Sequence, residues 1–351
     1  MSFFLDPAAK ALLAQDHPTV DPARCHNKRQ MRSRCTTCQD ICPQALYQKP
    51  GFAPRFNACA NCGLCVSACT TRCISPAPDT LEAQAALLKK PEGPVWLGCD
   101  AAARQNDLSV HCLAALPWEY LAALSLRGPV ILDIAPCAQC EQDAAAALLR
   151  QNLEKLLIFW GAEEFGRRIQ LDDSGAPVPE HGATTRRGLL RSALAQGQKG
   201  LGKLAGQLPG SKQQPSEGLV YRGLLHQQML AHPGAHGWIL PRFTEKCWGC
   251  GICEAICPQK ALQFTPQPDG KVAVQLFPSR CTGCELCAQL CPDKAISGTA
   301  IAQLPDLNTV CLAVTEQAQC RHCGHPIRPG SDPDLCPACR KKQARVPGRR
   351  L

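Results

Sequence analysis

An α+β, multidomain chain is predicted: two cysteine-rich modules flanking a small α/β domain, with a C-terminal four-cysteine ribbon. Three observations predict it. Cysteine supplies 26 of the 351 residues. The cysteines recur in closely spaced arrays near both ends, and residues 94–163 alternate short apolar runs with alanine- and leucine-rich stretches. The boundaries drawn are 1–80 for the first module, 90–170 for the α/β domain and 171–218 for a flexible linker. The second module takes 219–300 and the ribbon segment 301–351.

A chain of this length can build two or three hydrophobic cores, so it does not need disulfides to hold a small one. It opens MSFFLDPAAKALLAQDHP, with Asp6 and Lys10 where a leader would be apolar. It contains no uninterrupted apolar run of about 18 residues, so no membrane span is expected. A cytoplasmic location and a reducing environment follow as the expectation, and in such an environment dense cysteines bind metal more often than they cross-link. The formal charge of +9 treats every thiol as neutral. Four cubanes on four thiolates each would contribute about −8 and cancel nearly all of it. Only the end, RKKQARVPGRRL, is locally basic, and it reads as a solvated tail. A nucleic-acid partner is not expected.

In the second module CWGCGICEAICP runs from Cys247 to Pro258, and CTGCELCAQLCP repeats it from Cys281 to Pro292. A zinc knuckle needs two C-x2-C pairs. Three cysteines at successive two-residue gaps, then a fourth and a proline, suit a 4Fe–4S cubane instead. Gly249, Gly251 and Gly283 remove Cβ atoms where backbone must pass close to inorganic sulfide. Pro258 turns the chain without needing an amide donor. The intervening ALQFTPQPDGKVAVQLF predicts two short strands around a Pro-Asp-Gly turn. Over about residues 243–300 this resembles the bacterial two-cluster ferredoxin. In that family the fourth cysteine ligates the other cluster of the pair. The resemblance therefore implies one cluster on Cys247, Cys250, Cys253 and Cys291, and its partner on Cys281, Cys284, Cys287 and Cys257.

Near the N-terminus CANCGLCVSAC, Cys59 to Cys69, repeats the spacing. Upstream lie Cys25 and CTTCQDICP, Cys35 to Pro43, in which Cys25 replaces the missing first cysteine across a nine-residue loop. This longer form resembles ferredoxin-like subunits and accessory proteins of bacterial molybdenum oxidoreductases. By the same exchange it implies one cluster on Cys25, Cys35, Cys38 and Cys69, and another on Cys59, Cys62, Cys65 and Cys42. Two departures stand out. Thr70 replaces the usual proline, and Cys73 is a fifth thiol, either a small buried residue or a ligand displacing Cys69.

In the middle, PVWLGC, LSVHC, PVILDIAPC and LEKLLIFWG read as strands alternating with helices, the pattern of a parallel α/β sheet. Three of these strands end on Cys99, Cys112 and Cys137, and Cys140 completes a C-x2-C. Ligands of open α/β sheets sit at the carboxyl ends of strands. The four thiols could hold a further cluster or metal there, or pack separately as small apolar residues. The linker is rich in Gly, Gln, Ser and Lys. Its TTRRGLL, 184–190, matches a twin-arginine pattern at a mid-chain position and reads as a basic helix, solvated or docking a partner. GLGKLA, 200–205, lacks the preceding strand a dinucleotide site needs.

CRHCGHPIRPGSDPDLCPAC pairs Cys320 and Cys323 with Cys336 and Cys339. Two C-x2-C knuckles suit one tetrahedral ion, zinc in preference to iron. His322 and His325 stand nearby as substitute ligands.

No nucleophile motif, phosphate loop, or flavin or nicotinamide fingerprint is present, so the chain is not expected to be catalytic by itself. The residues and the resemblance together imply a polyferredoxin that shuttles electrons to or from a larger oxidoreductase or a hydrogenase subunit. The resemblance points to a molybdenum-dependent enzyme of the formate dehydrogenase kind. The alternative is an assembly or maturation factor for such an enzyme. A third reading, a redox-sensing regulator, would use the ribbon on nucleic acid.

Overall fold

A computed structural model describes residues 17–29, 35–47, 58–176, 219–331 and 334–345. The twin-arginine segment 184–190 and the glycine-rich 200–205 lie outside them. Among the described residues no helix is long and apolar enough to cross a membrane.

The first part of the chain carries β1 (Thr19–Val20), α1 (His26–Arg29), α2 (Thr37–Asp40), α3 (Leu64–Ala68), β2 (Ile74–Ser75) and α4 (Pro78–Leu87). β1 pairs antiparallel with β2, and the Asp21 amide donates to the Cys73 carbonyl at 2.7 Å. A strand just before the first cysteine is thus closed against the strand just after the last.

Next come β3 (Val95–Cys99), β4 (Leu108–Val110), α5 (Trp118–Ser125), β5 (Val130–Asp133), α6 (Asp143–Trp160), α7 (Ala162–Arg168) and β6 (Ile169–Asp172). The sheet order is β4-β3-β5-β6 and every pairing is parallel. The expected strand LEKLLIFWG is instead the last half of α6. No Gly or Pro separates it from EQDAAAALLRQN, so the helix propagates. Leu148, Asn152, Leu156 and Phe159 then fall on one buried stripe at helical spacing. The fourth strand is β6, whose Ile169 is buried and whose short length hid it.

Every residue of α5 is buried, as a helix apolar on nearly all sides must be. Side chains such as Leu121 and Leu124 each stabilise the fold by about 1.5–3 kcal/mol on burial. Helix α8 (Val220–Ala231) packs on α5. The two are tied at Gln84, whose side-chain oxygen accepts from Tyr221 and whose carbonyl accepts from Tyr120.

The last part has β7 (His236–Phe243), α9 (Ile252–Ile256), β8 (Leu262–Pro266), β9 (Lys271–Leu276), α10 (Leu286–Gln289), β10 (Ile296–Leu304) and β11 (Val310–Glu316). β8 and β9 form the expected hairpin, and Gly270 takes its left-handed turn position at φ 79°. β7 pairs with β10, and Thr244 donates to the Ala295 carbonyl at 2.8 Å. This repeats the closure made by Asp21 and Cys73. β10 runs through residue 301 and β11 pairs with β9, so residues 301–316 are structurally continuous with the sheets before them. The ribbon comprises β12 (Ala318–Gln319), β13 (Pro326–Ile327) and α11 (Pro337–Arg345). One continuous hydrophobic core runs from Val66 through Leu121 to Val274, and the ribbon has a small core of its own.

Candidate metal centres

No disulfide joins any of the 26 cysteines. Their local geometry repeats. In three arrays the second and fourth residues after the first cysteine are left-handed: Asn61 and Gly63, Gly249 and Gly251, Gly283 and Glu285, all with φ between 50° and 76°. Such alternation turns successive amides inward, making a nest for negative charge. The amides of Gly249, Ile252, Gly283 and Leu286 accordingly donate to the sulfurs of Cys247, Cys250, Cys281 and Cys284. Asn61 donates to Cys59 at 3.4 Å. The Cys35 array lacks this turn and forms α2 instead.

A second repeat follows the last cysteine of each array. Ala45, Arg72, Lys260 and Lys294 stand three residues after Cys42, Cys69, Cys257 and Cys291, and all are left-handed at φ 49–53°. The turn returns an amide to the sulfur: Ala261 to Cys257 and Ala295 to Cys291, both at 3.2 Å. Cys73 takes the equivalent place and donates its amide to Cys69.

Two cavities separate the thiols of the second module into groups. One, about 370 Å³, is walled by Cys257, Cys281, Cys284 and Cys287. The other is walled by Cys247, Cys250, Cys253 and Cys291. Burial pushes Cys284 up to about 11 and Cys287 up to about 12, and neighbouring thiolate charge adds to it. These are half-buried sulfurs that a bound metal would have to deprotonate. In the first module Cys38 feels Cys69, Cys35, Cys65 and Cys25, whereas Cys62 feels Cys42 and Cys59. Cys73 is buried with its sulfur 3.4 Å from that of Cys69. By donating hydrogen bonds it brings Cys25 down to about 6 and Cys69 down to about 5, while its own thiol is driven up.

The two modules touch. Gln259, two residues after Cys257, donates to the carbonyl of Thr71, two residues after Cys69, at 2.6 Å in a buried contact. Arg29 on α1 donates to the Ala255 and Ile256 carbonyls at the end of α9. Between the modules Glu119 on α5 pairs with Arg72 at 2.7 Å and Arg222 at 3.3 Å. Burial opposes the charge of Glu119, but the two guanidiniums outweigh it and hold its carboxyl below the usual range. Arg222 lies over the rings of both Trp118 and Trp238, at 5.2 and 4.8 Å from their centroids, a cation–π seat. Its charge favours the thiolate of Cys281 against burial.

The middle cysteines gather as their strand positions suggest. Cys99 ends β3 and Cys112 follows β4. Cys137 lies in a 3₁₀ turn, Ala135–Gln139, after β5, with Cys140 closing that turn. Cys137 is pushed up by burial and then by the charges of Cys99, Cys112 and Cys140.

In the ribbon the sulfurs of Cys320, Cys323, Cys336 and Cys339 all lie within 4.8 Å of one another, the size of one tetrahedral ion. The ribbon is anchored beside the Cys291 turn. Arg328 pairs with Asp293, and Trp248 donates to the same carboxylate at 2.6 Å.

Nothing in the sequence marks Gln259, Arg72, Glu119 or Arg222 as functional. Asn61 was the detectable case, since asparagine tolerates left-handed backbone.

Residues 246–295 match the 4Fe-4S dicluster domain family. No curated protein matches the chain. Together with the cysteine arrays, the match supports iron–sulfur, ferredoxin-like chemistry and an electron-transfer role. Carriers of this kind work with a redox partner.

Proposed function

We propose that the chain is an electron relay built from two dicluster modules docked directly on each other. The four ligand sets are those implied by the ferredoxin exchange: Cys25, Cys35, Cys38 and Cys69; Cys59, Cys62, Cys65 and Cys42; Cys281, Cys284, Cys287 and Cys257; Cys247, Cys250, Cys253 and Cys291. A 4Fe–4S cluster on each set supplies reversible one-electron chemistry. The protein supplies the rest. Inward amides stabilise the negative sulfurs, and the buried core from Val66 to Val274 keeps water away.

The observation that carries the reading is the buried Gln259–Thr71 contact. It joins the turn after Cys69 to the turn after Cys257, one residue set from each module. The cations Arg72 and Arg222, the latter buried, lie at the same junction and favour added negative charge there. Cys73, donating to Cys25 and Cys69, acts in the same direction from within the first module. The ribbon takes one zinc on Cys320, Cys323, Cys336 and Cys339 and acts as a structural clamp, a reading supported by its contact with Asp293 beside the Cys291 turn.

The partner we propose is a larger oxidoreductase, molybdenum-dependent and similar to formate dehydrogenase, or a hydrogenase subunit. The test is anaerobic co-purification followed by addition of the partner's substrate. A carrier loses its 4Fe–4S absorbance at the rate the partner turns over. Co-purification with only cofactor-deficient enzyme, without bleaching, assigns a maturation role instead.

A further inference from the structure

We infer that Cys99, Cys112, Cys137 and Cys140 form a fifth centre, a site for an iron–sulfur cluster at the outer end of the relay. The parallel sheet brings them together. β4, β3 and β5 are adjacent, so the cysteines at their carboxyl ends lie along one edge. The chain leaves β3 for β4 on one side and returns to β5 on the other, which makes this edge the switch point where open α/β sheets bind ligands. The edge is braced by Arg104, on the loop after Cys99. It is 4% exposed in its side chain and holds Asp133 at the end of β5 and Asp172 at the end of β6, each at 2.7 Å.

The local chemistry matches the other sets. The amide of Ala114 donates to the sulfur of Cys112 two residues earlier, as Leu64, Ile252 and Leu286 do for Cys62, Cys250 and Cys284.

The location follows from packing. Cys112 and Cys62 pack against one small core of Leu64, Ala114, Ala115, Ala145 and Leu148. The fifth centre therefore neighbours the set of Cys59, Cys62, Cys65 and Cys42. Cys137 and Cys140 are exposed, which leaves the outward side of this site open to a protein redox partner.

The experiment uses the whole chain, purified and reconstituted anaerobically with iron and sulfide, beside a Cys137→Ala/Cys140→Ala double variant. The expected result is a loss of about two to four iron atoms per chain and of one paramagnetic signal, with the remaining signals intact. Unchanged iron and an unchanged spectrum would overturn the inference, as would a zinc ion lost in place of iron. If the double variant does not accumulate, Cys99→Ala is read in the same way. A wild-type chain that takes up no iron fails the relay reading itself, so the two failures are distinguishable.

Discussion

Gln259 and Thr71 are 188 residues apart in sequence and joined by a buried 2.6 Å hydrogen bond. Each follows by two residues the last cysteine of its array. The bond therefore registers one cysteine turn against the other, and the distance between the inner ligand sets is fixed by protein contact. Gln259→Ala leaves the Thr71 carbonyl buried without this donor. The expected cost is about 1–3 kcal/mol, read as a lower denaturant midpoint for the intact, metal-loaded chain. An unchanged midpoint would show that the contact carries no weight.

The exchange of the fourth ligand is tested by Cys291→Ser. The paramagnetic signal expected to change belongs to the set of Cys247, Cys250 and Cys253, not to the nearer neighbours Cys284 and Cys287. Damage confined to the Cys281 set would reverse the assignment.

Glu119 is 2% exposed in its side chain and carries two guanidinium partners. Glu119→Ala leaves buried Arg222 and largely covered Arg72 without their carboxylate, with an expected loss of about 3–5 kcal/mol. Adding Arg222→Met should recover part of it, because removing both members of a buried pair costs less than removing one. A double variant no more stable than Glu119→Ala argues against this pairing.

His236 stacks on Phe159 at 4.3 Å and meets Trp160 edge-on. Burial, and then the charge of Arg168, lowers it to about 4. From about pH 6.5 down to about 4 the unfolded chain binds a proton that the folded chain refuses. Stability is thus full above that window and falls as pH drops through it, by roughly 3 kcal/mol in all. His236→Phe should show a smaller drop in denaturant midpoint between pH 7 and pH 5 than the wild type. Equal drops would remove His236 from the cause.

The ribbon is expected to hold about one zinc per chain, separate from about 16 iron atoms in the four cubane sets. Cys320→Ser should abolish the zinc and leave that iron in place. Loss of iron in equal proportion would mean that the ribbon is part of a cluster site.

The cysteine arrays announced themselves because ligand spacing is local: left-handed glycines such as Gly249 and Gly251 lie inside the motif they serve. The hairpin of β8 and β9 was equally legible from alternation around Pro-Asp-Gly. The run from Leu153 to Gly161 reads as a strand in sequence because a buried helix and a buried strand are both continuously apolar over a few residues. The uninterrupted sequence from Asp143 decided for the helix. Gln259, Glu119 and Arg222 left no mark at all. Their partners are remote, and a polar residue that will be buried looks like any surface residue until the fold is known.

The central claim is that the two modules form one relay through their direct contact, and paramagnetic resonance of the fully reduced whole chain tests it most directly. The signal of the centre on Cys25, Cys35, Cys38 and Cys69 is predicted to be broadened by its neighbour across the Gln259–Thr71 contact. It should sharpen when Cys281→Ser removes that neighbour. A first-module signal identical in wild type and Cys281→Ser would contradict the account, since the modules would then be magnetically independent.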